Sequence, residues 1–274
     1  MKRTIHFTKM HGLGNDYVYI NSDLYPLTDP SAFSIKYSDR RKGIGGDGLI
    51  LYGKGEEETY EMRIFNIDGS EGLMCGNAIR CVAKLLYQEG LDRSREMEIR
   101  TASGSKYLSL TIGNNDEVES VRVDMNPPRI INEELKLETS NGWQVVGQHV
   151  DVGNPHLVQF VSEDLTDFPL EVVGPEVEES ELFQPHKVNY EIARVVDPHT
   201  IEMRVWERGS GMTMACGTGA CATAVAAIHQ GLGESPIEVK MPGGDLVIEW
   251  SGDQEEPVYM TGDATLVYRG ELTI

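Results

Sequence analysis

The 274-residue chain is 40% hydrophobic and 25% charged, an ordinary globular composition with room for one large domain or two smaller ones. Its 44 acidic and 24 basic residues leave a net charge of −20, which argues against nucleic acid and anionic membrane surfaces as partners. Four cysteines are too few for a disulfide scaffold, no apolar run approaches the ~20 residues of a membrane span, and the opening MKRTIHFTKMHG lacks a signal-peptide core, so a cytoplasmic location is expected.

Residues 5–20 read as strand, turn and strand, with Asn15 and Asp16 at the tip; turn chemistry alone would account for that pair. A polar helix-like segment covers about 30–39. Gly43, Gly45 and Gly48 then match the dinucleotide fingerprint G-x-G-x-x-G, but this run follows a charged segment and enters a strand, Leu49 to Tyr52. The fingerprint must follow a strand and open a helix, so a glycine-rich turn is the better account. Residues 54–61 read as a solvated hairpin tip and 60–67 as a strand. A loop leads to Cys75-Gly76-Asn77 and a helix over about 77–89, with Ile79, Val82, Ala83, Leu85 and Leu86 at helical spacing and Gly90 as its stop. Strands are expected over 96–101, 105–112 and 120–125, and Asn126-Pro127-Pro128 marks a domain boundary. After a polar stretch come strands at 144–152 and 157–161, flanking the turn Gly153-Asn154-Pro155-His156. Residues 164–181 read as a helix with loops, then 187–196 and 199–206 as strands. A glycine-broken loop leads to Cys216 at the mouth of a second helix, closed by Gly231. Strands at 237–241, 245–250, 258–262 and 264–271 follow.

The chain repeats itself. Arg63-Ile-Phe-Asn falls over Arg204-Val-Trp-Glu at an offset of 141, and the same offset superposes Cys75 on Cys216, Gly76 on Gly217, Asn77 on Thr218 and Gly90 on Gly231 without a gap. The expected fold is therefore α+β: two homologous, pseudo-twofold-related domains, each a strand-rich, barrel-like sheet around a central helix. The boundaries are 1–126 and 127–274, with the final strand open to either half. Cys75 and Cys216 would face each other across the cleft between the halves; incidental core cysteines are the alternative.

A cysteine at a helix N-terminus has its thiolate favoured by the helix dipole, and the free N–H groups of the first turn can hold a carboxylate. Two such thiols can reach opposite faces of the carbon beside that carboxylate. One removes a proton and the other delivers one, which inverts the α-carbon of an amino acid. The oriented N–H donors stabilise the carbanion, so no metal, pyridoxal phosphate or other cofactor is called for. Zinc would want short cysteine spacings; Cys81 and Cys221, six and five residues from their partners, read as structural.

The motifs FTKMHGLGNDY, RIFNIDGSE, MCGNAIRC, GNPH, VNY, ERGSG and ACGTGACA, spanning nearly the whole chain, resemble those of the diaminopimelate epimerases. The resemblance implies that fold, a cofactor-independent epimerase acting between LL- and meso-diaminopimelate in lysine and peptidoglycan precursor synthesis, and a homodimer. It implies Cys75 and Cys216 as acid/base residues, His156 and Glu207 as supporting catalytic groups, and Asn15, Asn66, Gly76, Asn77, Asn154, Asn189, Glu207, Arg208, Gly217 and Thr218 as substrate contacts. A second amino-acid end needs a cation for its carboxylate, here Arg208, and acceptors for its ammonium, here Glu207 and asparagine oxygens. An exposed Glu207–Arg208 ion pair and a turn histidine are the plain alternatives. Two positions depart from the family pattern: Gly48 where some members carry Gln, and Ala78 where Gly is common. Competing functions are a proline, hydroxyproline or histidine racemase of the same fold, and an amino-acid-binding or redox dithiol protein.

Overall fold

The computed structural model describes residues 3–55 and 58–274; Glu56 and Glu57 of the expected hairpin tip, and the first two residues of the opening segment, lie outside the described residues. In chain order the elements are β1 (Thr4–Gly12), β2 (Asn15–Asn21), α1 (Pro30–Tyr37), β3 (Gly48–Lys54), β4 (Tyr60–Asn66), β5 (Glu71–Gly72), α2 (Gly76–Gln88), β6 (Glu96–Thr101), β7 (Gly104–Ile112) and β8 (Val118–Asp124). Then follow β9 (Arg129–Glu138), β10 (Gln144–Asp151), β11 (Pro155–Phe160), α3 (Leu170–Glu178), β12 (Asn189–Asp197), β13 (Thr200–Glu207), β14 (Gly211–Thr213), α4 (Gly217–His229), β15 (Ile237–Met241), β16 (Gly244–Glu249), β17 (Tyr259–Gly262) and β18 (Thr265–Thr273). Among the described residues no helix is long and apolar enough to cross a membrane.

Two compact units divide the chain after Val123, three residues before the boundary read from Asn126-Pro127-Pro128. The segment Gly262–Ile274 groups with the first unit, because β18 runs antiparallel to β1 from Thr4↔Thr273 to His11↔Thr265. The two topologies match. In the first, β18, β1 and β2 are antiparallel neighbours, β2 lies parallel to β3, β3 antiparallel to β4, and β4 parallel to β6. In the second, β9, β10 and β11 are antiparallel, β11 lies parallel to β12, β12 antiparallel to β13, and β13 parallel to β15.

Each unit is organised by its central helix. Eleven of the thirteen α2 residues are buried, so α2 has no solvent face and packs on β1, β2, β6 and β7. Ile79, Val82, Leu85 and Leu86 are wholly buried, each contributing about 1.5–3 kcal/mol of apolar transfer. α4 packs on β10, β11, β12, β13, β15 and β16 through small side chains, chiefly alanine. Both helices end with a glycine at positive φ, Gly90 at 72° and Gly231 at 69°, the left-handed conformation that terminates a helix. A second layer covers each sheet from outside. Phe33 of α1 packs with Leu49 and Leu51 of β3 and Phe65 of β4. Val173 and Val177 of α3 pack with Tyr190 and Ile192 of β12.

Candidate active site

In the first unit Cys75 occupies the N-cap of α2 with an extended backbone, φ −139° and ψ 117°. Its Sγ donates to Asn15 Oδ1 at 3.3 Å, and Asn77 Nδ2 reaches the same oxygen at 3.5 Å. Asn15 is held from behind by the glycine-rich turn: Asp47 Oδ2 accepts from Asn15 Nδ2 at 2.8 Å and from the Asp16 backbone N–H at 3.0 Å. Arg40 bridges Asp16 and Asp47, and Lys9 pairs with Asp16 at 2.6 Å. Burial pushes the Asp16 carboxyl up, but bonds from Arg40 and Lys9 outweigh it and leave the group below its ordinary range. The turn thus serves the strand tip and opens no helix. At Gly48 a Cβ would lie 2.1 Å from Phe65 O, so this backbone takes glycine there. Asn66 ends β4 and donates to Ser70 Oγ at 3.0 Å within its own hairpin.

In the second unit Cys216 caps α4 with nearly the same backbone, φ −131° and ψ 112°, and its Sγ accepts from Gly219 N at 3.4 Å. Thr218 Oγ1 lies 3.5 Å from that sulfur. Glu207, at the end of β13, accepts from Thr213 Oγ1. Burial raises the Glu207 carboxyl; hydrogen bonds from Thr213 and Cys216 oppose the rise without cancelling it. His156 is fully buried, with Nδ1 2.7 Å from Glu191 Oε1 and Nε2 3.1 Å from Asn154 Oδ1. Asn189 sits opposite His156 in the β11–β12 register and accepts from the Arg208 backbone N–H at 2.9 Å. The Arg208 guanidinium donates to His186 O at 2.6 Å. Glu207 and Arg208 therefore engage different partners, which disposes of a simple ion pair between them.

Most sequence-predicted residues thus gather in two places, Asn15, Cys75 and Asn77 in one unit and Asn154, His156, Asn189, Glu207, Arg208, Cys216 and Thr218 in the other. Sequence reasoning missed Asp47, Thr213 and Glu191. The signal for Glu191 was present: it is a carboxylate inside the apolar run Tyr190 to Ala193.

The free thiols also set a pH limit. Burial pushes Cys81 from 9.0 up to about 12. Burial raises Cys216 well above the ordinary thiol range too, and the charges of Glu207 and Glu191 add to it. Above about pH 9 the unfolded chain releases thiol protons that the folded chain keeps. Their contribution to stability is complete below that pH and is lost as pH rises through the folded values. Urea midpoints should fall from pH 9 upward, and Cys81→Ala should make that fall shallower while lowering the neutral-pH midpoint. Buried Tyr17 and Tyr19, both raised, leave a residual slope in the variant.

The diaminopimelate epimerase family model matches residues 7–131 and 148–267. The chain belongs to the diaminopimelate epimerase family. Diaminopimelate epimerase of Bacteroides thetaiotaomicron is 46% identical over 272 residues, covering 99% of each chain. That of Methanococcus maripaludis strain C6 is 44% identical over 280 residues, covering 98% of this chain and 99% of its own. The fold also matches more distant solved structures. A Bacillus anthracis protein of the PhzF family, described as a phenazine biosynthesis protein, superposes with a TM-score of 0.73 at 14% identity, covering 99% of this chain and 100% of its own. A hydroxyproline epimerase from Agrobacterium vitis gives 0.72 at 13% identity over 99% of this chain and 91% of its own. At those identities the likeness concerns the fold alone.

Proposed function

We propose that the chain is an isomerase that interconverts LL- and meso-diaminopimelate, with Cys75 and Cys216 as the two acid/base groups and no cofactor. The observation that carries this reading is the pair of N-cap cysteines, one on the central helix of each unit, in a chain matched by the family along nearly its whole length. One thiolate takes the α-proton and the electron pair passes into the adjacent carboxylate. The other thiol then gives its proton to the opposite face, leaving the thiolate on the other sulfur and the configuration inverted. The free N–H groups at the starts of α2 and α4 are suited to the carboxylate on which charge develops, a form of stabilisation worth about 2.7–4 kcal/mol per well-placed donor.

The surroundings of Cys216 favour its protonated form before substrate arrives. Asn15, fixed by Asp47, presents an acceptor to Cys75, and Cys216 is buried beside Glu207. The α-ammonium of the substrate supplies the positive charge that lets one sulfur ionise. Arg208 is the cation for the distal carboxylate, while Asn154, Asn189 and Glu207 supply acceptors for ammonium groups. Asn66, Gly76, Asn77, Gly217 and Thr218 complete the contacts, and His156 supports Asn154. The enzyme works in the cytoplasm as a homodimer in lysine and peptidoglycan precursor synthesis, an assignment that follows the family.

The test is solvent exchange. LL-diaminopimelate incubated with the protein in heavy water should gain one deuterium at an α-carbon and yield the meso form. Proline and hydroxyproline under the same conditions should stay unlabelled. A diaminopimelate pool that stays protiated and LL would overturn the reading.

A further inference from the structure

Glu191 is wholly buried, and only one of its carboxylate oxygens is used. Oε1 meets His156 Nδ1 at 2.7 Å, and Oε2 has no partner among the described residues. A buried carboxylate with an idle oxygen is costly, and a well-packed apolar side chain would stabilise the fold more. Its placement follows from strand alternation. Tyr190 and Ile192 face α3, so Glu191 falls on the opposite face, the one α4 packs against. There the helix comes in so closely that a Cβ on Gly219 would lie 2.7 Å from Glu191 Oε1 and 3.3 Å from Cys216 Sγ. Gly219 is also the residue whose N–H donates to that sulfur. Glu191 is therefore one glycine away from the thiol on one side and one imidazole away from Asn154 on the other.

We propose that Glu191 is a positioning residue for the Cys216 side of the reaction, holding His156 and through it Asn154, and placing one negative charge behind the first turn of α4. The inference rests on Cys216 being an acid/base group. Glu191 Oε1 lies 2.7 Å from His156 Nδ1 and Asn154 Oδ1 lies 3.1 Å from Nε2, so the imidazole is held between the two side chains. The groups that bear on Cys216 are Glu207 from β13, Glu191 from β12 with His156 from β11 behind it, and Thr218 and Gly219 of α4 itself. Glu191 and Glu207 both hold Cys216 in its thiol form.

The experiment reads Cys216 directly. In a Cys75→Ala background, the pH dependence of iodoacetamide alkylation at Cys216 is followed by peptide mass spectrometry. Glu191→Gln keeps the size and one acceptor but removes the charge. The alkylation midpoint should fall by about one pH unit, with the thermal midpoint moved by no more than ~4 °C. His156→Gln removes the ring that Glu191 Oε1 is bonded to, leaves the carboxylate less screened and should move the alkylation midpoint up. In the intact-cysteine enzyme, Glu191→Gln should lower kcat by about 10-fold with little change in KM, an indirect and hence smaller effect than losing a direct donor. Unmoved alkylation midpoints in both variants would overturn the proposal and leave Glu191 as packing. If only one variant folds, the sign of its shift decides. Alkylation at Cys216 needs no turnover, so a failure of the epimerase reading, seen as absent solvent exchange, is distinguishable from a failure here.

Discussion

Alanine at Cys75 or at Cys216 lowers epimerisation by about 10³–10⁴-fold, the upper range for loss of a positioned acid/base group. The loss is this large because inversion needs a group on each face of the α-carbon. A single remaining thiol can only return a proton to the face it came from. Each variant should therefore retain solvent exchange without inversion, in the isomer whose proton its surviving sulfur faces, and the two variants should prefer opposite isomers. Both should stay folded. Cys75 makes no side-chain capping bond and gives up its bond to Asn15, and Cys216 gives up the capping contact from Gly219, a loss of about 1 kcal/mol, together with its contacts to Thr218 and Glu207. Serine in either place should behave like alanine, since a hydroxyl does not ionise near neutral pH. Heavy-water exchange followed by chiral separation makes the measurement. Full turnover in either alanine variant, or exchange with inversion, would sink the two-thiol mechanism.

The repeat made the central features readable. An offset of 141 carries Gly76–Gln88 onto Gly217–His229, and both helices have those bounds with a cysteine before and a glycine after. Such features are local, set by apolar spacing and by residues that stop helices. What escaped was set by pairing across long sequence separations. The polar stretch after the double proline is β9, bonded to β10 from Arg129↔Asp151 to Glu138↔Gln144. Most of its side chains are exposed, so it lacks the apolar alternation by which strands are recognised. The closing strand could not be assigned to a half, because its pairing with β1 depends on a partner more than 250 residues away. At the site, Asp47 lay unremarked in the glycine-rich turn. Its role in fixing Asn15 depends on β2 and β3 lying side by side and parallel, with Tyr17 opposite Gly48. Glu191 was passed over although it is a charge in an apolar strand, and nothing in the sequence says that His156 lies 2.7 Å from it.

Arg80 carries the largest expected effect on stability. It lies in the MCGNAIRC motif, on the first turns of α2, and is wholly buried. Burial lowers the guanidinium below its ordinary range, offset in part by nearby groups including Cys81, Cys75 and Asp263. Its bonds run in three directions. Nε donates to Asp263 O at 3.0 Å, one terminal nitrogen to Gly76 O at 3.1 Å, and the other to Asn77 Oδ1 at 3.0 Å. The first ties down the entry to β18, and the other two hold the start of the helix that carries Cys75. Arg80→Ala would leave those acceptors without this donor and open a cavity where a long side chain stood. The cost should be about 3–5 kcal/mol, a fall of roughly 10 °C in thermal midpoint for a chain of this size. Arg80→Met separates the two contributions. It refills much of the volume and removes the cost of burying a charge, so it should recover about half of the loss, yet it restores no hydrogen bond to Asn77. Activity at 25 °C should accordingly stay low in the methionine variant even where its folded fraction is complete. A methionine variant with full activity would show that Arg80 acts only as packing, and that Asn77 is held without it.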